Sequence, residues 1–125
     1  MKKCIVFALM FIILAVLCSC AFQQTQSASL HFVYDGSNIH QTLTKEEAKT
    51  LSDILKGATL FPDAPSCGFT ADISFTLGDH TYALARDNCP TVFDCDSGLY
   101  FHIRSSDRAA IEAIFEKYGG YFPCL

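Results

Sequence analysis

Residues 69–85 read FTADISFTLGDHTYALA, in which apolar side chains alternate with polar or small ones on both sides of Gly78-Asp79. Such alternation is typical of a strand with one buried face, and a Gly-Asp pair between two such runs is a turn signal. A turn here pairs apolar residues on one face: Phe75 with Tyr82 and Ile73 with Leu84. The segment therefore predicts a β-hairpin with one face in a hydrophobic core.

Two further hairpins are predicted on either side of this one. Asp35-Gly36 follows the alternating run Leu30–Tyr34, and a turn there places Phe32 opposite Ile39 and His31 opposite His40. Later in the chain, Asp96-Ser97-Gly98 separates the strand-like segments 91–93 and 99–103. The segment 58–66 contains two prolines and is predicted to be a loop.

Two helices are predicted between and after the strands. Thr44-Lys45-Glu46-Glu47 is a capping box, apolar residues follow at helical spacing, and Gly57 is the expected end. Ser105 or Ser106 is expected to cap a second helix, which Gly119-Gly120 ends. The predicted fold class is α+β: an antiparallel sheet of two to three hairpins with two helices packed on one face.

The N-terminus resembles the signal peptide of bacterial lipoproteins. A basic start, Lys2-Lys3, precedes an uncharged apolar run from Ile5, and Leu17-Cys18-Ser19-Cys20 matches the lipobox of that family. The resemblance implies that residues 1–19 are removed and that Cys20 is lipidated. One alternative is an uncleaved membrane anchor, because the apolar run is just long enough to span a bilayer. The other alternative is a plain secretory signal without a lipid.

The remaining chain is predicted to be one acidic domain on a short tether. Residues 20–29 are polar and form the tether, and residues 30–125 form a single α+β domain. The chain has nine Lys and Arg against thirteen Asp and Glu; removing Lys2 and Lys3 leaves seven basic residues and a charge near −6. This balance argues against nucleic acid as a partner. The protein is expected at the cell membrane, facing outside the cytoplasm and held only by lipid at Cys20.

Four cysteines in the body are expected to form two disulfides outside the cytoplasm. The hairpin ladder brings Cys67 close to Cys89, which makes this the preferred pair and leaves Cys95 with Cys124 by subtraction. No Cys-x-x-Cys motif is present. Free thiols used for metal or redox chemistry are the alternative.

Metal and catalytic signals are weak. His31 and His40, if opposite each other, could share a zinc or copper ion, but a stable site needs three or four ligands. Asp94–Gly98 has a fragment of calcium-loop spacing and is better explained as a polar turn. Neither a Gly-x-Ser-x-Gly elbow nor a His-Glu-x-x-His motif occurs, so no catalytic residue and no cofactor is predicted, and an enzyme is less expected than a binder.

The predicted solvent-facing side of the sheet offers another binding surface. It is expected to carry small and polar residues: Thr70, Asp72, Ser74, Thr76, Thr81, Ala83 and Ala85. Such a face, or an exposed edge strand, could bind a protein or peptide by strand addition.

The sequence thus predicts a lipid-anchored binding module of the cell envelope, with a metal-binding or thiol-redox protein as the alternative. The body also resembles small exported lipoproteins that have no named activity. That resemblance is carried by four tripeptides: Cys67-Gly68-Phe69, Asn88-Cys89-Pro90, Lys117-Tyr118-Gly119 and Phe122-Pro123-Cys124.

Overall fold

A computed structural model of the chain describes residues 27–122, together with Ile5, Val6, Ala8 and Met10, whose backbone is helical. The predicted signal peptide as a whole, the lipidation site Cys20, most of the tether 20–29 and Cys124 lie outside the described residues. Within the part that is described, every helix is too short or too polar to cross a bilayer.

The described chain folds into one antiparallel sheet and two helices. The strands are β1 (Ala28–Tyr34), β2 (Ser37–Thr42), β3 (Thr59–Phe61), β4 (Phe69–Leu77), β5 (His80–Ala85), β6 (Thr91–Asp94) and β7 (Tyr100–His102). The helices are α1 (Lys45–Lys56) and α2 (Ser105–Lys117). The strand order in the sheet is β2-β1-β4-β5-β6-β7-β3. The α+β class is confirmed.

A single seven-stranded sheet replaces the predicted set of two to three hairpins. β1 pairs with β4 as well as with β2, and this long-range pairing joins two hairpins that the sequence suggested only separately. The segment 58–66 was predicted to be a loop, but it contains β3, which pairs with β7. Three residues are too few to produce a periodic signal, so backbone pairing with β7 defines this strand.

Local signals at the helix ends were mostly correct. The Thr44 hydroxyl accepts a hydrogen bond from the Glu47 N–H at 3.2 Å, and the Glu47 carboxylate accepts one from the Thr44 N–H at 2.9 Å, so the capping box is confirmed. The predicted serine cap of α2 was wrong. Arg104 occupies the N-cap position without a capping hydrogen bond from its side chain, which pairs with Asp107 instead.

One core joins the sheet and both helices. Its fully buried centre contains Phe32, Phe75 and Leu84 from the strands, Leu51 from α1, and Phe115 from α2. Along β1 the buried residues Ala28, Leu30 and Phe32 alternate with residues that point to the opposite side of the sheet. We call that opposite side the outer face.

The register of the central hairpin is correct near the turn and wrong further away. Phe75 pairs with Tyr82 as predicted. The pairing of Ile73 with Leu84 does not form, because the register shifts between Thr70 and Ser74 and Leu84 pairs with Thr70 instead. This β-bulge reverses the alternation of the first residues of β4 relative to β5.

Candidate functional site

A single row of opposed residues crosses the outer face on all seven strands. We call it the outer row, and its members from β2 to β3 are His40, His31, Ser74, Ala83, Phe93, Tyr100 and Phe61. The row changes character along its length, from two imidazoles through two small residues to three aromatic rings. These three parts have different chemical capabilities.

The imidazole end brings His31 and His40 together, as the hairpin register predicted. Their ring centroids are 4.1 Å apart and their planes differ by 17°, so the rings are stacked. A shared metal ion must lie close to both ring planes to meet the nitrogen lone pairs, and stacked planes do not converge on one point. In this arrangement the pair is a stacking contact and does not form a chelate.

The small residues in the middle of the row are covered, which corrects the expectation of an open polar face. Ser74 and Ala83 are 3% and 1% exposed, and Ala85 is also buried. The bulge explains the change, because the Ser74 hydroxyl donates to the Ala71 carbonyl at 2.9 Å within the irregular part of β4. Thr70, Thr76 and Thr81 are half-buried, and Asp72 is exposed.

The bulge also places Phe69 on the outer face, whereas the sequence pattern placed it in the core. Phe69 pairs with Ala85, and its ring centroid lies 5.8 Å from that of Phe93 and 5.5 Å from that of Tyr100. Phe93 stacks on Tyr100 at 4.8 Å, and Phe61 stacks on Tyr100 at 6.2 Å. We call these four residues, all half-buried, the aromatic cluster.

A shallow groove of about 420 Å³ runs beside the aromatic cluster. Three cluster residues line it together with Thr70, Ala71, Ala83 and Cys95, so its wall is apolar or neutral. Apolar surfaces of this kind with a few polar groups are typical ligand-binding sites. The aromatic cluster and the groove therefore form the candidate binding site.

The cysteines divide into one disulfide and one thiol. Cys67 and Cys89 form a disulfide with Cα atoms 6.2 Å apart, which confirms the preferred pair. Cys95 is exposed and has no disulfide partner within residues 27–122. Its predicted partner Cys124 lies outside the described residues, so that pairing stays a prediction. Loss of hydration around the sulfur atom and the negative charge of Asp96 raise the pKa of the Cys95 thiol, which disfavours the reactive thiolate.

Arg108 of α2 anchors the chain segment that carries Cys89. This guanidinium is buried and donates to the carbonyl oxygens of Ala85, Asp87 and Cys89 at 2.8, 3.1 and 3.3 Å. It also pairs with Glu112 at 2.8 Å. The segment between β5 and β6 is thereby fixed to α2, and the disulfide fixes it to the start of β4. Nothing in the local sequence around Arg108 predicted this role.

The turn between β6 and β7 holds a polar cluster that sequence reasoning missed in part. The Asp94 carboxylate accepts hydrogen bonds from the N–H groups of Asp96 and Ser97 at 2.9 and 3.2 Å, so the polar turn predicted at Asp94–Gly98 is confirmed. His80 at the start of β5 adds an Nδ1···Oδ2 hydrogen bond of 2.9 Å to Asp94. That hydrogen bond raises the pKa of His80. The partnership joins residues fourteen positions apart, and no local motif indicates it.

The comparisons with known proteins give no relative. Neither a family model, nor a curated protein, nor a solved structure matches this chain.

Proposed function

We propose that this protein is a lipid-anchored binding module of the cell envelope that binds an extended peptide segment of a partner protein at its aromatic cluster. The single observation that carries the proposal is the group of four half-buried aromatic side chains on the outer face. The anchor at Cys20 and the location outside the cytoplasm are supported by the signal-like sequence alone.

The aromatic cluster has the properties of an interaction hot spot. Aromatic rings combine a large contact area with few rotatable bonds, so binding to them costs little side-chain entropy. These rings are held by strands and by one another, with centroid distances between 4.8 and 6.2 Å. Such a preformed surface loses little conformational freedom when a partner binds.

The adjoining sheet edge favours an extended peptide as the partner. β3 is the last strand of the sheet, and its second edge is unpaired within the described residues. An extended peptide can add backbone hydrogen bonds to such an edge and place alternate side chains on the sheet face. Leu60 of β3 is 53% exposed and Phe61 belongs to the aromatic cluster, so both faces of the added strand would meet apolar side chains.

Neutral apolar side chains fit this surface better than charged ones. Among residues 27–122, no charged side chain lines the groove beside the aromatic cluster. A charged group entering it would lose water without gaining a partner, which is unfavourable. The proposed peptide therefore carries aromatic or aliphatic side chains at alternate positions.

The peptide proposal is tested with random linear peptides displayed on phage, selected against the full chain in phospholipid vesicles. Peptides with alternating apolar residues are expected, and their synthetic versions should bind at least about tenfold more weakly to Tyr100→Ala and Phe61→Ala, since a buried aromatic anchor contributes more than about 1.4 kcal/mol. His40→Ala, at the opposite end of the outer row, is the matched control and should bind normally. No enrichment, or peptides that depend on His40 and not on Tyr100, would overturn the proposal.

The anchor is tested separately by intact mass spectrometry of the full-length gene product extracted from membranes with detergent. A mass that begins at Cys20 and includes acyl groups is expected, and Cys20→Ala should abolish the acylated species. A mass that retains Met1 would contradict lipidation without affecting the peptide proposal.

A further inference from the structure

A mixed set of metal-ligand atoms lies where β5 begins and β6 ends. His80 begins β5 and Asp94 ends β6, and the antiparallel pairing of these strands brings both to the same end of the sheet. Asp96 follows in the β6–β7 turn. One ligand atom from each of the three side chains lies within 4.8 Å of the other two.

We propose that His80, Asp94 and Asp96 bind a divalent transition-metal ion of the zinc type. Zinc accepts imidazole nitrogen and carboxylate oxygen at about 2.0–2.2 Å, so tetrahedral ligands are separated by roughly 3.3 Å. His80 Nδ1 and Asp94 Oδ2 are already 2.9 Å apart. The ion takes the place of the proton between these two atoms, and that proton is released to solvent.

The surroundings hold the carboxylates in place without an ion. Asp94 is 3% exposed and accepts two backbone N–H groups of its own turn, and Asp96 Oδ2 accepts the Thr81 N–H at 2.7 Å. Contacts of this kind orient metal ligands and strengthen binding. Asp96 Oδ1 accepts no hydrogen bond among the described residues, so this carboxylate keeps unused acceptor capacity.

The charge of the cluster favours a cation. Asp79 adds a third carboxylate whose charge acts on His80. In the described part of the chain, no lysine or arginine forms an ion pair with Asp79, Asp94 or Asp96. A doubly charged ion would neutralise this excess, and the exposed sides of His80 and Asp96 leave it a path from solvent and room for a water ligand.

Carboxylate-rich sites can also bind calcium or magnesium, but the imidazole favours a transition metal. Calcium and magnesium prefer oxygen ligands only, whereas histidine nitrogen suits zinc, copper, nickel and iron. The proposed metal site shares no residue with the aromatic cluster. The metal-binding proposal can therefore be tested independently of peptide binding.

Calorimetric titration of the detergent-solubilised full chain with zinc chloride tests the site. Saturable binding of one ion is expected, and His80→Ala and Asp96→Asn should each weaken it at least about tenfold. His40→Ala and Cys95→Ser are matched controls that should bind within about twofold of wild type. Urea unfolding of each variant verifies that the fold persists, and Asp94 is left intact because it holds the turn.

Cobalt(II) provides a second readout that identifies the ligand atoms. A nitrogen and oxygen site gives weak visible bands, whereas cysteine ligation adds intense sulfur-to-cobalt absorption in the near ultraviolet. The absence of saturable zinc binding, unchanged affinity in His80→Ala or Asp96→Asn, or sulfur absorption that disappears in Cys95→Ser would each overturn the assignment. Calcium binding that is stronger than zinc binding would do the same.

Discussion

Glu47 caps one helix and links it to the other with the same side chain. Its carboxylate closes the capping box at the start of α1 and also accepts hydrogen bonds from Lys117 Nζ at 2.6 Å and from the Tyr118 hydroxyl at 2.8 Å. Burial raises the pKa of Glu47, but the bonds from Lys117, the Thr44 N–H and Tyr118 outweigh it and hold the pKa at about 2. The capping part was predicted from four consecutive residues; the link to α2, seventy positions away, was not.

The lowered pKa of Glu47 predicts an acid-dependent loss of stability. A carboxyl group with a depressed pKa stabilises the fold above its unfolded value, here 4.5, and loses that contribution as the pH falls towards about 2. Glu47→Gln should lower the free energy of unfolding at pH 7 by about 1–2 kcal/mol, a value reduced for solvent screening. The difference from wild type should shrink between pH 4.5 and pH 2.5.

Urea unfolding of the two proteins at pH 7, 4.5 and 2.5 measures this difference. Glu46→Gln is the matched control, because Glu46 lies in the same first turn of α1 and its carboxylate makes no hydrogen bond among the described residues. Its effect should stay below about 0.5 kcal/mol. A Glu47→Gln effect that does not change with pH would contradict the assigned role.

At the scale of single elements, sequence prediction succeeded where the determining contacts are local. The Thr44 capping box fixed the start of α1, and the Asp35-Gly36 turn fixed the register of β1 and β2. Asp35 and Gly36 both have positive φ, at 47° and 82°, as this type of turn requires. A turn residue and its neighbours carry this information within a few positions.

Prediction failed where distant parts of the chain decide the outcome. β3 exists because β7 pairs with it, and the bulge in β4 is not visible in an unbroken alternation of apolar and polar residues. The candidate site could not be predicted without the bulge, because the bulge moves Phe69 from the core to the aromatic cluster. The four rings come from four different strands, β3, β4, β6 and β7, and the pairing of these strands in the sheet brings them together.

The C-terminal end of α2 packs closely against β1 at two consecutive glycines. Gly119 has φ +98°, and its N–H and that of Gly120 donate back to the carbonyls of Glu116 and Phe115 at 3.0 and 2.9 Å, as in a Schellman motif. A Cβ atom on Gly120 would lie 3.1 Å from the Phe115 carbonyl oxygen and 3.3 Å from the Phe32 ring. The helix end thus approaches β1 so closely that a methyl group at this position would require its neighbours to shift by a few tenths of an ångström.

Gly120→Ala is therefore expected to lower the free energy of unfolding by about 1–3 kcal/mol, the usual cost of overpacking a core. Gly68→Ala is the control: a Cβ there meets nothing within 4 Å, and the smaller unfolded-state entropy should leave its stability unchanged or slightly higher. Thermal unfolding followed by circular dichroism distinguishes the two variants. Equal midpoints for Gly120→Ala and wild type would show that Phe32 and α2 can separate easily.

At the scale of the whole molecule, two ties hold the segment between β5 and β6. The Cys67–Cys89 disulfide joins it to the start of β4 across 22 residues, and Arg108 joins it to α2 through three carbonyl oxygens. The chain-entropy model gives about 3 kcal/mol for a disulfide loop of this length. Removing the guanidinium leaves buried carbonyls without donors, which costs about 2–4 kcal/mol.

Because both ties act on the same segment, their contributions should be coupled. The free energy of unfolding is compared in wild type, Arg108→Met, the double Cys67→Ser and Cys89→Ser variant, and the combination of all three substitutions. Once one tie is lost the segment is already loosened, so the combined loss should be smaller than the sum by about 1 kcal/mol. In the control cycle Arg104→Met replaces Arg108→Met, because Arg104 is exposed and pairs with Asp107 of α2. The effects in this control cycle should be additive. Additivity within about 0.5 kcal/mol in the Arg108 cycle would mean that the disulfide and α2 stabilise the segment independently.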